Sequence, residues 1–468
     1  MNERINSQSN SIKSSQITNT PTDQSVPVTR SETRDSNSLV KHHGNLTVLT
    51  GTVFIIGEVA GGGILSLPHA VSGAGWFGIL LIALCCANAG YSGICLAKAW
   101  IILEERYPKY RSGLTRKPFA TIGYHAFGYW GSAIVSISMN FTRFGTGVVF
   151  LILTSQLLQQ VMSHVNKVQE LGICSWVPIV GVSLTPFMWL GSPADFWPAA
   201  YTAMLSTILG SIFLLADIGL QAKDRVSSAN YPMPTFVSFF KAFGNILFAF
   251  GGVSAFPNFQ NDMKEKDKFP KSVIYGFIGL LFLYIPVAGI GYGVYGNQTA
   301  DNIIQNLPQS ALTTVIDCFF LVHCYTAFLI IVNPVLLELE EMLKIPKIFN
   351  WKRCVFRTAL MAAMIFTGLS VPSFGPILDL LGGTTITLMA FVLPPAFYWK
   401  LCRVDPKGEF KARLIPLYTN IILAEIAIVG VIGGAASTYS SIIWFADPDS
   451  HMETACYAGR SAITYFID

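Results

Sequence analysis

The sequence predicts an all-α integral membrane protein that crosses the bilayer about eleven times. Only 12% of its 468 residues are Asp, Glu, Lys or Arg and 52% are hydrophobic, whereas a water-soluble domain carries about 25% charged residues. Uncharged runs such as 171–194 and 272–300 provide the roughly 20 residues that a helix needs to cross the hydrocarbon core. The predicted spans are residues 47–70, 75–101, 131–162, 176–191, 196–217, 236–260, 273–295, 311–342, 355–372, 375–399 and 415–444.

The predicted transmembrane domain covers residues 45–445 and has a tail on each side. Residues 1–44 are polar and rich in Ser, Asn and Thr, and such a segment cannot bury enough apolar surface to fold. We therefore expect a disordered cytoplasmic N-tail. Residues 446–468 form the second, short tail, which we expect on the outer face of the membrane.

The positions of the 31 Lys and Arg residues predict the orientation. Most of them lie in the N-tail and in loops on one side of the predicted helices, namely 102–130, 261–272, 343–354 and 400–414. Because basic loops face the cytosol, we expect a cytoplasmic N-terminus and, after eleven crossings, an extracellular or luminal C-terminus. The plasma membrane and endosomal, lysosomal or vesicular membranes all fit this pattern.

Three residues on the expected outer side are candidates for covalent modification. Asn297 begins the triplet Asn-Gln-Thr, an acceptor sequon for N-glycosylation, although such a triplet also occurs by chance in polar loops. Cys174 and Cys456 are the only two of the nine cysteines that we place outside, where a disulfide is permitted. We therefore consider them a candidate pair. The sequence contains no CxxC motif, so we expect no metal site.

Two of the predicted spans contain adjacent glycines followed by a proline. In the first span glycines 61–63 precede Pro68, and in the sixth span Gly251 and Gly252 precede Pro257. Glycine loosens a helix, and proline removes a hydrogen-bond donor. Close helix packing at small residues is the alternative explanation. The matching positions of the two interruptions favour broken helices.

Each interrupted span begins a block of five spans, residues 47–217 and 236–399, and residues 415–444 form one extra C-terminal helix. Interruptions at corresponding places in two halves are the best sequence indication of a transporter's binding site. We therefore predict a five-plus-five inverted repeat with broken helices 1 and 6. Free N–H groups and half-helix dipoles at such breaks can bind a carboxylate.

At these residues the chain resembles the amino acid/auxin permease family. The segment GGGILSLPHAVSGAGW (61–76) is similar to the first helix of that family, and FAFGGVSAFPNFQNDMKEKDKFPKS (248–272) to its sixth helix and the following loop. FGTGVVFLILTSQ (144–156) and LDLLGGTTITLMAFVLPPAFYW (378–399) resemble its third and tenth helices. The resemblance implies the five-plus-five fold and amino acid transport by alternating access.

The resemblance also implies where the substrate's amino and carboxyl groups bind, namely at the unwound parts of helices 1 and 6. By position, the residues concerned are Gly61, Gly62, Gly63, Ile64, Phe250, Gly251 and Ser254. The chain departs from the sodium-coupled members because no Asn precedes the first glycines, which puts sodium coupling in doubt. Ser254 and Asn258 stand where several members have His and Glu, so roles tied to those side chains are not carried over.

Two ionisable residues are predicted to lie deep in the membrane near the first interruption. Such residues cost about 2.5–3.5 kcal/mol or more and are functional candidates. Glu58 lies one turn before Gly61, and Arg143 lies near the middle of the third span. Glu58 can carry a proton in each cycle, and Arg143 can pair with it or replace a sodium ion electrostatically. An arginine neutralised by a static partner is the alternative.

The eighth span carries two further candidates, Asp317 and His323. Six residues on a helix separate their directions by about 120°, which argues against a proton relay between them. We interpret His323 as a hydrogen-bonded residue of the helix bundle.

These observations together predict a secondary active transporter of small or neutral amino acids that works by alternating access and is coupled to protons. Sodium-coupled or facilitative transport and a non-transporting amino acid sensor are the alternatives. The sequence contains no repeated pore signature and no HExxH, GxSxG or P-loop motif, so we expect neither a channel nor an enzyme. The expected partners are an amino acid and the lipid bilayer, without nucleic acid and without a cofactor other than the coupling ion.

Overall fold

Helices make up most of the described chain, which comprises residues 46–111, 115, 117–166, 171–189, 197–346, 349–403, 412–446 and 455–457 of a computed structural model. They are α1 (Val48–Val59), α2 (Gly63–Ala74), α3 (Phe77–Arg106), α4 (Pro118–Asn166), α5 (Ile173–Trp189), α6 (Trp197–Arg225), α7 (Phe236–Ala249), α8 (Phe256–Asn261), α9 (Phe269–Tyr295), α10 (Ala311–Met342), α11 (Trp351–Ser370), α12 (Phe374–Leu381), α13 (Leu393–Arg403) and α14 (Leu417–Ala446). Within these residues there is no β-strand, which confirms the all-α prediction. The predicted N-tail and most of the predicted C-tail lie outside the described residues.

The predicted spans each correspond to a helix or to a pair of helices. In the described chain, nine segments are long and apolar enough to cross a membrane, and the bent pair α1–α2 is a tenth. Two of the nine, Phe236–Asn261 and Phe374–Arg403, each contain two helices, α7 with α8 and α12 with α13. The fourth predicted span corresponds to α5, which is apolar but only 17 residues long.

We name the two ends of the helix bundle by residues that they carry. The sequon side holds Asn297 and the connection between α9 and α10. The basic side holds Lys117, just before α4, and Arg353 and Arg357 in the first turns of α11.

The first span bends by 60° between α1 and α2. Gly63, the first residue of α2, lies directly against α7. A Cβ atom at this position would be 2.9 Å from the Cα atom of Ala249, which is closer than packed atoms tolerate. Glycine is therefore required here for α2 and α7 to cross at this distance.

The sixth span changes its helical geometry at the predicted place without a comparable bend. α7 ends at Ala249, Phe250 has φ −108° and ψ 15°, and Gly251–Ala255 form a 3₁₀ helix before α8 begins. A short 3₁₀ segment within a longer helix often marks a hinge or a functional position. The first and sixth spans are thus both interrupted, but in different ways.

The tenth span contains two π-helical segments that the sequence pattern did not predict. Gly382–Ile386 and Leu388–Val392 separate α12 from α13, and π-helical turns often occur at functional sites. The hydroxyl of Thr385 lies 2.6 Å from that of Thr142 on α4. The tenth span therefore adjoins the third near the two interrupted spans.

The chain before α1 is tied to the chain after α8. The N–H group of Leu46 donates to the carbonyl of Asp262 at 3.0 Å, and the N–H group of Lys264 donates to the carbonyl of Leu46 at 3.0 Å. These bonds form an isolated parallel bridge between Leu46 and Met263. They join the basic-side ends of the first and sixth spans.

A buried ionic cluster joins three helices on the basic side. The Glu340 carboxylate at the end of α10 accepts bonds from Arg353 at 3.0 Å and from Arg357 at 2.5 and 3.1 Å. Arg357 is fully buried and also donates to the carbonyl of Met188 on α5. This fork-to-fork geometry provides the hydrogen bonds that a buried charge requires.

Candidate functional site

A cavity of about 180 Å³ lies where the two interrupted spans meet. Its walls come from both interruptions, from α4 and from α10. The lining residues used below are Glu58, Gly61, Gly62, Gly63, Thr142, Arg143, Phe150, Gly251, Ser254, Asn258, Ile330, Ile331 and Pro334.

Most of the residues predicted from the sequence are brought together at this cavity. The lining includes the glycines 61–63, Gly251, Ser254 and both candidate coupling residues. Ile64 and Phe250 do not line the cavity, because both are fully buried in the hydrophobic core. The ring of Phe250 packs instead on Phe277 and Tyr284. Any contact of these two residues with a substrate is therefore made by their backbone groups and not by their side chains.

The start of α2 presents free donors to the cavity. The first N–H groups of any helix have no acceptor within the helix, and the positive end of its dipole lies there. Gly62 and Gly63 hold this position without a side chain that would cover the backbone. A carboxylate fits such a site.

Tyr284 on α9 holds the two interruptions together. Its hydroxyl lies 2.8 Å from the carbonyl oxygen of Val59 and 2.9 Å from that of Ala249. These carbonyls belong to the last residues of α1 and α7, and that of Val59 also accepts the N–H group of Gly61 at 2.8 Å. Tyr284 is fully buried, so its hydroxyl bonds within the protein. No sequence pattern points to this residue.

Glu58 and Arg143 both face the cavity, but they are not in direct contact. No ion pair within 4.0 Å joins these two side chains. The charges of the two side chains nevertheless interact across the cavity, and Arg143 also interacts electrostatically with Glu338 of α10. Glu338 itself forms an ion pair with Lys117 at 2.9 Å, so Arg143 lies near two carboxylates and forms an ion pair with neither.

A second cavity of about 620 Å³ leads from the basic side to the first one. The two cavities share Arg143, Ser254, Asn258 and Pro334 as lining residues. On the opposite side the central cavity is covered by α4, because a Cβ atom on Gly62 would lie 2.9 Å from the side chain of Leu153. The conformation is thus open towards the basic side.

Two interrupted helices thus surround a small cavity. The sequence also matches a protein family over nearly the whole described chain. Residues 44–443 match the family described as transmembrane amino acid transporter protein. The chain belongs to this family. The transporter is 26% identical to the amino acid transporter AVT1D of Arabidopsis thaliana over 85% of this chain and 69% of that protein. It is 25% identical to the amino acid transporter ANT1 of the same plant, over 91% and 98% of the two chains.

The fold also resembles a solved transporter. The structure of MHP1, a nucleobase-cation-symport-1 family transporter in a closed conformation with bromovinylhydantoin bound, aligns with a TM-score of 0.54 at 13% identity. The alignment covers 86% of this chain and 93% of that one. At this identity the likeness concerns the fold alone, and it supports the predicted transporter architecture.

His323 of the transporter lies behind the first interruption. Its Nδ1 atom is 3.0 Å from the carbonyl oxygen of Ala203 and 2.7 Å from the hydroxyl of Thr207. Its Nε2 atom is buried without a hydrogen-bond partner and lies 3.8 Å from the position of a Cβ atom on Gly61. His323 is thus hydrogen-bonded within the bundle, as we interpreted it, but its second nitrogen points at helix 1.

The transporter carries its candidate modification residues on the sequon side. Cys174, at the start of α5, forms a disulfide with Cys456 beyond α14, and the N–H group of Cys456 donates to Leu369 at the end of α11. Asn297 is exposed, whereas the hydroxyl of Thr299 donates to the carbonyl of Gly296 at 2.6 Å. Glycosylation of Asn297 stays a prediction.

Proposed function

We propose that the chain is a secondary active transporter that moves small neutral amino acids by alternating access and is coupled to protons. The observation that carries the proposal is the cavity between the two interrupted spans, which is lined by the start of α2 and by two opposite charges, Glu58 on α1 and Arg143 on α4. A cavity of about 180 Å³ is smaller than the roughly 300–1,000 Å³ that drug-sized ligands occupy. This size favours a small substrate.

The carboxylate of the substrate binds at the N–H groups of Gly62 and Gly63. These groups lie at the positive end of α2, and no side chain of their own shields them. The side chain of the substrate then packs against the apolar part of the wall, which Phe150, Ile330 and Ile331 provide. This wall has no charged group for a side chain of opposite sign, which supports neutral substrates.

Glu58 is the proton carrier in this proposal, and Arg143 sets its electrostatic environment. Arg143 interacts electrostatically with Glu58 and with Glu338, so it stabilises the ionised form of Glu58, and Glu338 with its partner Lys117 remains beside it when Glu58 is protonated. The positive charge of Arg143 also occupies the cavity where a bound sodium ion would otherwise balance a carboxylate. The arrangement therefore supports proton coupling over sodium coupling.

The basic side faces the cytosol in this proposal, since basic loops remain on the cytoplasmic side of membranes. The N-terminus is then cytoplasmic, and the sequon side with its disulfide faces the exterior or a lumen, where disulfides persist. The conformation described here is open to the cytosol.

Uptake of radiolabelled amino acids into proteoliposomes tests the proposal. The panel includes neutral, acidic and basic amino acids at pH 5.5 and 7.5, each with and without sodium. We expect accumulation of small neutral amino acids that requires a pH gradient and is indifferent to sodium. Equal uptake in all four conditions contradicts proton coupling and leaves a facilitator, and binding without flux indicates a sensor.

A further inference from the structure

A histidine on the sequon side has a hydrogen-bond acceptor at each of its ring nitrogens. His69 lies on α2, and its Nδ1 atom is 2.8 Å from the carbonyl oxygen of Thr299. Its Nε2 atom is 3.1 Å from a carboxylate oxygen of Asp301. Thr299 and Asp301 belong to the connection between α9 and α10. The site thus lies far along α2 from the central cavity and shares no lining residue with it.

With Asp301 ionised, a ring that is protonated on both nitrogens makes a hydrogen bond at each of these contacts. A neutral imidazole has one N–H donor and one lone pair, so one of its nitrogens would face an acceptor with a lone pair. A carbonyl and a carboxylate can only accept. Beside an ionised Asp301, both contacts are hydrogen bonds when both nitrogens carry a proton. The geometry at His69 therefore suits an imidazolium ion.

Charged groups on the neighbouring elements surround His69. Asp301 also accepts the N–H group of Gly375 at 3.2 Å. Asp379, buried on α12, interacts electrostatically with His69, Asp301 and Lys241, and the ammonium group of Lys241 lies 3.8 Å from its carboxylate. The groups around His69 are therefore two carboxyl groups, one of which lies beside an ammonium group.

Protonation of His69 ties together three elements on the closed side of the transporter. His69 is on α2, Asp301 is on the connection between α9 and α10, and Gly375 is at the start of α12. The central cavity is covered on this side, as described above. Separating these elements would remove both bonds of the imidazolium ring.

We infer that His69, Thr299 and Asp301 form a proton-binding latch that keeps the sequon side of the transporter closed when the imidazole is protonated. Histidine as a residue type changes charge between pH 5 and 8, and the side chains of His69 and Asp301 are 38% and 36% exposed, so protons from that side reach them. Deprotonation breaks one of the two bonds and releases α2. The inference rests on the proposed alternating access and adds a second proton site to Glu58.

Amino acid exchange at equal pH on both membrane faces tests the latch. With no pH gradient there is no proton driving force, so the rate reports on opening and closing. We expect wild-type exchange to be slower at pH 5.5 than at 7.5, and His69→Gln to reduce that ratio by about three-fold, the effect of one partly exposed ion pair. Asp301→Asn leaves the histidine in place and should reduce the ratio equally. His125→Gln, on the basic side, is the matched control and should keep the wild-type ratio.

Hydrogen exchange measured by mass spectrometry provides a readout that does not need transport. After correction for intrinsic rates, the backbone amides of residues 301–307 should be more protected at pH 6 than at pH 8 in the wild type. In His69→Gln this difference should disappear. If both variants keep the wild-type exchange ratio and His69→Gln keeps the amide difference, the latch is wrong. If neither the wild type nor the variants exchange any amino acid, the proposed function is wrong. The difference in amide protection then tests the latch on its own.

Discussion

The hydroxyl of Tyr284 lies 2.8 Å from the carbonyl oxygen of Val59, the residue at which the first span breaks. The same hydroxyl lies 2.9 Å from the carbonyl of Ala249, where the sixth span is interrupted. The single proton of this hydroxyl is shared between two carbonyls, one at each break, so one side chain on a neighbouring helix links the two interruptions.

Replacing Tyr284 by Phe should destabilise the transporter. The change removes the one hydroxyl that bonds to the carbonyls of Val59 and Ala249, and losing such a hydrogen bond costs about 0.5–1.5 kcal/mol. We expect a lower midpoint of thermal unfolding in detergent and a weaker apparent affinity for substrate. Tyr292→Phe is the matched control, since Tyr292 is on the same helix and equally buried, but its hydroxyl has no partner among the described residues. Equal melting temperatures for the two variants would contradict the role of Tyr284.

Glu58→Gln should uncouple transport from the proton gradient. Gln resembles the protonated carboxyl group in shape but cannot release a proton, so exchange at equal pH should persist while accumulation driven by a pH gradient is lost. The measurement compares both activities in the same proteoliposomes. Glu425→Gln is the control, because Glu425 lies on α14 and bonds to Asn88 outside the cavity. A Glu58→Gln variant that still accumulates substrate against its gradient would refute the assignment.

The cluster of Glu340, Arg353 and Arg357 should be structural. Glu340→Gln leaves two buried guanidinium groups without their carboxylate, and breaking a buried ion pair in this way costs about 3–5 kcal/mol. We expect a large loss of thermal stability or failure to reach the membrane. Glu341→Gln changes the adjacent residue, which is exposed, and should leave the melting temperature unchanged. Similar stability of both variants would show that the cluster contributes little.

Asn297→Gln should remove an N-linked glycan if the sequon side faces the exterior or a lumen. The exposed asparagine follows the end of α9, where an enzyme can reach it, so the wild type should lose mass on glycosidase treatment and the variant should not. Asn140→Gln, in a sequon inside α4, should have no effect on mass. An unglycosylated wild type from a eukaryotic host would contradict this orientation or the accessibility of the site.

The interruptions of the first and sixth spans were predictable because glycine and proline act on the backbone locally. The residues around the cavity followed from the same argument, since Gly61, Gly251 and Ser254 belong to those interruptions. Glu58 and Arg143 could be found because a charge in an apolar run is conspicuous in the sequence. Their separation in space was not predictable, because it depends on how α1 and α4 pack.

Other features depend on contacts between distant segments and left no local signal. Tyr284 is one tyrosine in an apolar span, and nothing in its neighbourhood indicates two carbonyl partners on other helices. Arg353 falls in the predicted loop 343–354 and Arg357 just inside the next predicted span, whereas both lie in α11 and are buried against Glu340. Charge alone does not distinguish an arginine that reaches solvent from one that a carboxylate holds inside the protein. The two π-helical segments that begin at Gly382 have an amino-acid composition that is also compatible with an ordinary α-helix.

The bridge at Leu46 has a mechanical consequence. Both backbone groups of this residue are bonded to the segment that follows α8, so α1 and α8 cannot swing apart without breaking two hydrogen bonds at once. We therefore expect α1 and α8, the basic-side parts of the two interrupted spans, to move as a single rigid body. Any force that arrives through the polypeptide preceding Leu46 would be transmitted to both halves of the repeat simultaneously.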